Sequence, residues 1–231
     1  MSDTFDLWIV VEGHYKPGGS TSWCNDIKVP VRSTDGCHEF MLNFQTTHSN
    51  VIYYSNADYW ESKDEQVNKA ISLIPYDECI LWQVDADEVW GKTDIELNET
   101  VLLRSNRNCG RVQFTHIVGE HEGDLLVARG KWGSGYVNRV WKWKGEEFIS
   151  HEPSVIRGQR SITLPKKFDH YSMYFEQDVK FKSKYYKGYE RLYENWKEIH
   201  RKGLFPCHAQ DLLGKNHQVG ARTSRIFKLR R

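Results

Sequence analysis

Residues 81–90 read LWQVDADEVW, in which an apolar run is followed at once by three carboxylates. The run belongs to a longer apolar segment, residues 79–84, which is typical of a strand buried on both faces. In open α/β sheets, ligands bind beyond the carboxyl ends of the strands, where the loops diverge and leave a crevice. The sequence therefore predicts that Asp85, Asp87 and Glu88 lie at a ligand site.

The segments before this strand predict the same kind of sheet. Residues 7–12 (LWIVVE) and 51–54 (VIYY) have the composition of two further strands, and residues 60–74 carry apolar side chains at helical spacing. Strand–helix–strand units favour right-handed crossovers between parallel strands. We predict a single α/β domain with a mixed, mostly parallel central sheet flanked by helices.

The second half of the chain is richer in short strands. A helix is expected at residues 93–105, and strand patterns follow at 110–118, 125–129, 137–143 and 147–150. Residues 176–202 predict one long helix with an aromatic inner face, and the basic stretch 206–231 predicts a loose tail. The segment 14–36, rich in Gly, Ser, Pro and Thr, predicts a long loop that is either functional or simply flexible.

Composition excludes several classes of function. The 231 residues include 32 basic and 31 acidic ones, so no overall field attracts nucleic acid or an anionic membrane. Five cysteines without a C-x-x-C pair argue against a disulfide framework and a zinc knuckle. The sequence shows neither a signal peptide nor an apolar run long enough for a membrane span, so we expect a cytoplasmic protein.

The carboxylates suggest a divalent cation. Asp85 and Asp87 are two residues apart and would share a strand face, where their oxygens suit Mg²⁺ or Mn²⁺. Without a cation they would repel each other, and one would take up a proton. The alternative is a solvated turn or a capping cluster for the helix that begins near residue 93. Glu88 is expected either to support the site or to form a salt bridge.

Four motifs together resemble one enzyme family. The segment VDADE at 84–88 is similar to the D-x-D region of nucleotide-sugar-dependent glycosyltransferases with the GT-A fold. The likeness is greatest to the family-2 type that includes lipopolysaccharide-core β-glucosyltransferases, and small viral or phage glycosyltransferase domains are further candidate relatives. VNRVWKW at 137–143 resembles that group's R-L-F-R strand, SHEP at 150–153 its His-Glu motif, and DHYSMY at 169–174 its late His-Tyr.

The resemblance implies a Rossmann-like GT-A domain over the whole chain. Residues 1–90 would form the nucleotide-binding half, residues 91–205 the acceptor and metal half, and residues 206–231 a basic tail. The long segment 14–36 and the aromatic helix at 176–202 depart from the family pattern, so acceptor recognition cannot be carried over.

The resemblance also implies residue roles. Glu152 would be the general base, with Glu120 and Glu122 in reserve for that role or for binding acceptor hydroxyls. Asp87 would be the most direct ligand of Mn²⁺ (or Mg²⁺), and His170 would complete the metal site. Asp85 would contact the metal through water, or the ribose.

The donor nucleotide is expected near the ends of the first two strands. Candidate base and ribose contacts there are Glu12, Gly13, Asn56 and Asp58. Lys63, at the start of the next helix, and Arg139 are expected to reach the diphosphate.

These roles define a metal-dependent inverting glycosyltransferase. It would move a sugar from a nucleotide diphosphate sugar, with a UDP-sugar as the expected donor, to a glycan hydroxyl. One alternative is a carbohydrate- or nucleotide-binding module without catalysis. The other is a nucleotidyltransferase-like metal enzyme or phosphohydrolase, although residues 13–19 (GHYKPGG) do not match a lysine-bearing phosphate loop.

Overall fold

The computed structural model describes residues 3–16, 24–129, 134–149, 158–203, 207–210 and 216–223. Its first sheet has two parallel strands, β1 (Trp8–Glu12) and β2 (Val51–Ser55), which pair in register from Trp8 opposite Val51. The helix between them, α1 (Cys37–Thr47), packs on β2 through the buried Met41. Both predicted strands are confirmed, whereas α1 was not predicted.

The middle of the chain follows the predicted order. Helix α2 (Lys63–Ile71) is shorter than predicted. It begins after Ser62, whose hydroxyl caps the helix by accepting from the backbone N–H of Glu65. It leads into β3 (Cys79–Trp82), the short β4 (Glu88–Val89) and helix α3 (Lys92–Arg104).

A nine-stranded sheet forms the rest of the fold. The main path runs β10-β11-β6-β5-β7-β3, with β8 and β9 paired to β5, and β4 paired to β9. The bounds of these strands are β5 (Cys109–His121), β6 (Asp124–Arg129), β7 (Ser134–Trp143), β8 (Ser161–Thr163), β9 (Phe168–His170), β10 (Cys207–Gln210) and β11 (Asn216–Thr223).

The prediction of a mostly parallel sheet is wrong for the described residues. Six of their strand pairs are antiparallel, and only β1–β2, β5–β8 and β5–β9 are parallel. The physical reason lies in the connections, because short links such as the β5–β6 turn can join only antiparallel strands. The mixed α/β class is confirmed at this coarser level.

Three further predictions about the second half of the chain are wrong. The expected single helix is two, α4 (Glu176–Tyr185) and α5 (Leu192–Lys202), because the chain leaves helical geometry between them and turns at Gly188 with φ of 81°. Part of the expected loose tail is strand, since β11 pairs with β6 along six residues. The predicted strand at 147–150 is also absent at residues 147–149.

The described parts of the 14–36 segment are tied to the fold. The backbone N–H of Lys16 donates to the carbonyl of Trp60, and that of Asn25 donates to the carbonyl of Tyr185 at the end of α4. Helices in the described ranges are all too short or too polar to cross a membrane.

Candidate active site

The three carboxylates lie where β3 gives way to β4. The backbone N–H of Gln83 still donates to the carbonyl of Arg139 on β7, and two residues later Asp85 leaves that ladder. Glu88 then pairs with His170 on β9. We call Asp85, Asp87 and Glu88 the carboxylate cluster. The segment that carries it therefore passes from pairing with β7 to pairing with β9. The capping alternative is excluded, because the N-cap of α3 is Gly91, without a side-chain cap.

Arg139 joins two members of the cluster. Its Nη2 lies 2.8 Å from Oδ2 of Asp85 and 2.6 Å from Oε1 of Glu88, and its Nε donates to the same Glu88 oxygen at 2.9 Å. The other oxygen of Glu88 accepts from the indole N–H of Trp90 at 3.0 Å. Of the two predicted roles for Glu88, the structure shows the salt bridge. Arg139 is itself buried between these carboxylates, so its guanidinium is not free to serve a diphosphate alone.

The pKa values of Asp85 and Glu88 are shifted in opposite directions. Burial raises the pKa of Asp85, but Arg139 and Lys63 outweigh it and hold that pKa below its ordinary value. Nζ of Lys63, at the start of α2, lies 3.7 Å from Oδ1 of Asp85. Burial raises the pKa of Glu88 above its ordinary value, because the nearby charge of Asp85 adds to it and Arg139 compensates only in part.

Asp87 faces a separate pair of side chains, a histidine and a lysine. Its Oδ1 lies 3.3 Å from Nε2 of His170, and its Oδ2 lies 3.5 Å from Nζ of Lys182 on α4. Its carbonyl accepts from the backbone N–H of Tyr171 at 2.7 Å, which fixes the turn. Although burial acts to raise the pKa of Asp87, the hydrogen bond and charge of His170 and the charge of Lys182 hold it well below its ordinary range.

Two residues of the site were not predicted, His116 and Lys182. The register between β5 and β9 sets His116 beside His170, and the two rings stack with centroids 4.9 Å apart. Nδ1 of each ring is buried without a hydrogen-bond partner among the described residues. Burial lowers the pKa of His116 to about 4, and the neighbouring His170 and Lys182 act in the same direction. No local pattern marks either residue, since both reach the site only through tertiary pairing.

Two side chains of the site, Asp87 and His170, have the chemistry of cation ligands, but they do not form a complete set. No group of three or more His, Cys, Asp or Glu side chains in the described ranges is arranged to hold a metal. Asp87 and His170 do stand together, and a carboxylate with an imidazole suits Mn²⁺. Cations held by so few side chains are usually completed by water and substrate phosphates. Asp87 and His170 therefore fit a substrate-completed cation, whereas Asp85 is occupied by Arg139 and Lys63.

The predicted nucleotide contacts have structural roles here. The carboxylate of Glu12 accepts from the backbone N–H of Ser33 at 2.6 Å and from the hydroxyl of Tyr53. Gly13 has φ of 135°, and a Cβ there would stand 2.5 Å from Nε1 of Trp60, which donates to the carbonyl of Glu12. These contacts tie β1 to its neighbours.

The other two predicted nucleotide contacts lie after β2. Oδ1 of Asn56 accepts from the backbone N–H of Ala57 at 3.0 Å, and the Asn56 carbonyl accepts from Nε of Arg32. Asp58 is exposed. Neither of these hydrogen bonds of Asn56 involves the carboxylate cluster.

The structure describes two of the three candidates for the base, Glu120 and Glu122. Glu152 lies outside the described residues. Glu120 is four residues beyond His116 on β5, a distance of about 13 Å along a strand, and accepts from the hydroxyl of Tyr174 at 2.7 Å. Glu122 sits in the β5–β6 turn with φ of 50°.

Comparisons of the chain with profiles of protein families, with curated proteins and with solved structures find no significant match.

Proposed function

We propose that the chain is a metal-dependent inverting glycosyltransferase that takes a nucleotide diphosphate sugar, with a UDP-sugar as the expected donor. The acceptor would be a glycan hydroxyl. The observation that carries the proposal is the pairing of Asp87 with His170 at 3.3 Å, because the two belong to motifs far apart in sequence. This pairing is what a shared cation site requires of the D-x-D region and the late histidine.

The charges around the cluster support a diphosphate ligand. Three carboxylates are balanced by three cations, Lys63, Arg139 and Lys182. A divalent ion bound at Asp87 would supply Lewis acidity that neutralises the charge growing on the leaving diphosphate. With that ion the site would carry a positive excess, to which Lys63 at Asp85 and Lys182 at Asp87 contribute. Preorganised cations of this kind stabilise a developing anion without reorganisation.

The remaining steps need a base and an acceptor pocket. Glu152 stays the proposed base, with Glu120 and Glu122 in reserve, and it would take the proton of the attacking hydroxyl. Inversion follows because the hydroxyl attacks from the face opposite the leaving diphosphate. Arg139 would hold Asp85 and Glu88 in place rather than bind substrate.

The test is the substitution Asp87→Asn, with the exposed Asp77→Asn as the matched control. Nucleotide release from a panel of UDP- and GDP-sugars should be stimulated by Mn²⁺, lost in EDTA, and reduced about 100-fold or more by Asp87→Asn. Asp77→Asn should behave as the wild type, and circular dichroism should show both variants folded. Full activity in EDTA would refute the metal-dependent mechanism. Saturable sugar-nucleotide binding without any release would favour a binding module instead.

A further inference from the structure

A cavity of about 590 Å³ lies between β1, α2 and β3. Ligand pockets in proteins commonly enclose ~300–1,000 Å³, so the space is large enough for a nucleoside and part of its phosphates. Lys63 and Asp85 both line it, which makes the cavity continuous with the candidate active site. The expected nucleotide contacts Glu12 and Gly13, by contrast, are engaged in holding β1.

Two strand edges face each other across the cavity. Among the described residues, β1 pairs only with β2, and β3 pairs only with β7. The backbone N–H of Trp8 donates towards β2 and that of Gln83 towards β7. Because alternate residues of a strand direct their backbone groups to opposite edges, Ile9 on β1 and Ile80 and Trp82 on β3 direct theirs to the cavity. Such edges offer unpaired N–H and C=O groups.

Apolar side chains close the two faces of the same space. On the α2 side, Val67, Ile71 and Leu81 belong to one hydrophobic cluster. On the other side, Phe5 and Trp82 pack together in another. A flat ligand lying in the plane of the sheet would therefore have apolar contacts above and below and backbone hydrogen-bonding groups at its rim.

The polar groups of the cavity are unequal at its two ends. Lys63, Gln66 and Asp85 line one end, next to the active site. Asp6 and Glu99 line the other, where Glu99 accepts from the indole N–H of Trp82 and burial raises the pKa of its carboxyl. An anionic group is thus disfavoured at the Glu99 end, so a phosphorylated ligand would place its phosphates near Lys63.

We propose that this cavity binds the nucleobase of the donor, with the base edge on the backbone of β1 and β3 and the diphosphate directed to Lys63. A nucleobase is a planar heterocycle with apolar faces and a hydrogen-bonding rim, which matches the two kinds of wall. The inference rests on the proposed function for the ligand being a nucleotide. The nucleobase would then lie between β1 and β3, and not at the ends of β1 and β2 as the sequence predicts.

The test narrows the cavity without touching its polar groups. Ala70 on α2 lines the cavity, and Ala70→Leu would fill space that the base needs, whereas Ala57→Leu at an exposed position is the control. Calorimetric titration with UDP, GDP, uridine and inorganic pyrophosphate, each with Mn²⁺, should show about 10-fold or greater loss of nucleotide and uridine affinity in Ala70→Leu. Pyrophosphate affinity should be unchanged, because it needs only the cation and the lysines.

The outcomes separate this inference from the proposed function. If Ala70→Leu binds UDP as the wild type does, the base lies elsewhere, although nucleotide release by the wild type would still support the transferase. If the cavity variant loses uridine but the wild type releases nucleotide from no donor, the nucleobase site stands and the transferase does not. Absence of binding of both UDP and GDP to the wild type would overturn the inference. Should Ala70→Leu not fold, the smaller Ala70→Val serves the same titration.

Discussion

The guanidinium of Arg139 donates to one oxygen of Glu88 through both Nε and Nη2, at 2.9 and 2.6 Å. Both side chains are buried, so neither charge is compensated by water. The pair lies directly under Asp85, which accepts from the same guanidinium. Buried pairs of this kind seldom add much stability over apolar residues, but each partner becomes costly when the other is removed.

The first prediction is that Arg139→Met destabilises the fold by about 3–5 kcal/mol, because it leaves Glu88 buried without its cation. Chemical denaturation at neutral pH measures this loss. The exposed Arg107→Met is the control and should stay within about 0.5 kcal/mol of the wild type. Adding Glu88→Gln to Arg139→Met should recover part of the loss, since the buried charge is then gone. If Arg139→Met and the control were equally stable, the salt bridge would have no structural role.

The parts of the fold predicted from sequence are those with a strong local period. The strands at residues 7–12 and 79–84 have continuous apolar runs, and each lies within a residue or two of its predicted place. Helix α1 escaped prediction because Met41 is its only fully buried residue, so no apolar stripe marks it. Partner strands and their directions depend on tertiary packing, which explains why the mostly parallel sheet was wrong.

The residues of the candidate site likewise include some that the sequence could predict and some that it could not. Asp85 and Asp87 could be predicted because three carboxylates after an apolar strand are unusual in any fold. His116 and Lys182 could not, because a single histidine in a strand and a single lysine in a charged helix carry no local signal. They reach the cluster through the pairing of β5 with β9 and the approach of α4. The role of Arg139 changed for a related reason, since its burial follows from the β3–β7 register.

The second prediction concerns the backbone at the end of β1. Gly13→Ala should cost about 1–3 kcal/mol more than a strained glycine elsewhere, because its Cβ would stand 2.5 Å from Nε1 of Trp60. Gly145→Ala is the matched control, since Gly145 also has positive φ, at 89°, but open space around its Cα. Urea denaturation gives the difference. Equal losses in the two variants would show that the approach of Trp60 does not constrain this turn.

The third prediction follows from the buried ring of His116. Its pKa in the folded chain is about 4, chiefly because burial disfavours the charged ring, whereas an unfolded histidine titrates near ~6.5. Between these two pH values the unfolded chain binds more protons, so the free energy of unfolding rises with pH. The contribution of His116 is complete above about pH 6.5 and is lost as the pH falls towards about 4, by roughly 3 kcal/mol in total.

His116→Phe should remove this part of the acid destabilisation, as measured by urea denaturation at a series of pH values between these limits. Phe114→Leu alters the packing of the same aromatic group without removing a titrating side chain, and it should keep the wild-type pH dependence. An unchanged pH dependence in His116→Phe would mean that the ring is solvated or protonated in the folded protein, contrary to its position against His170.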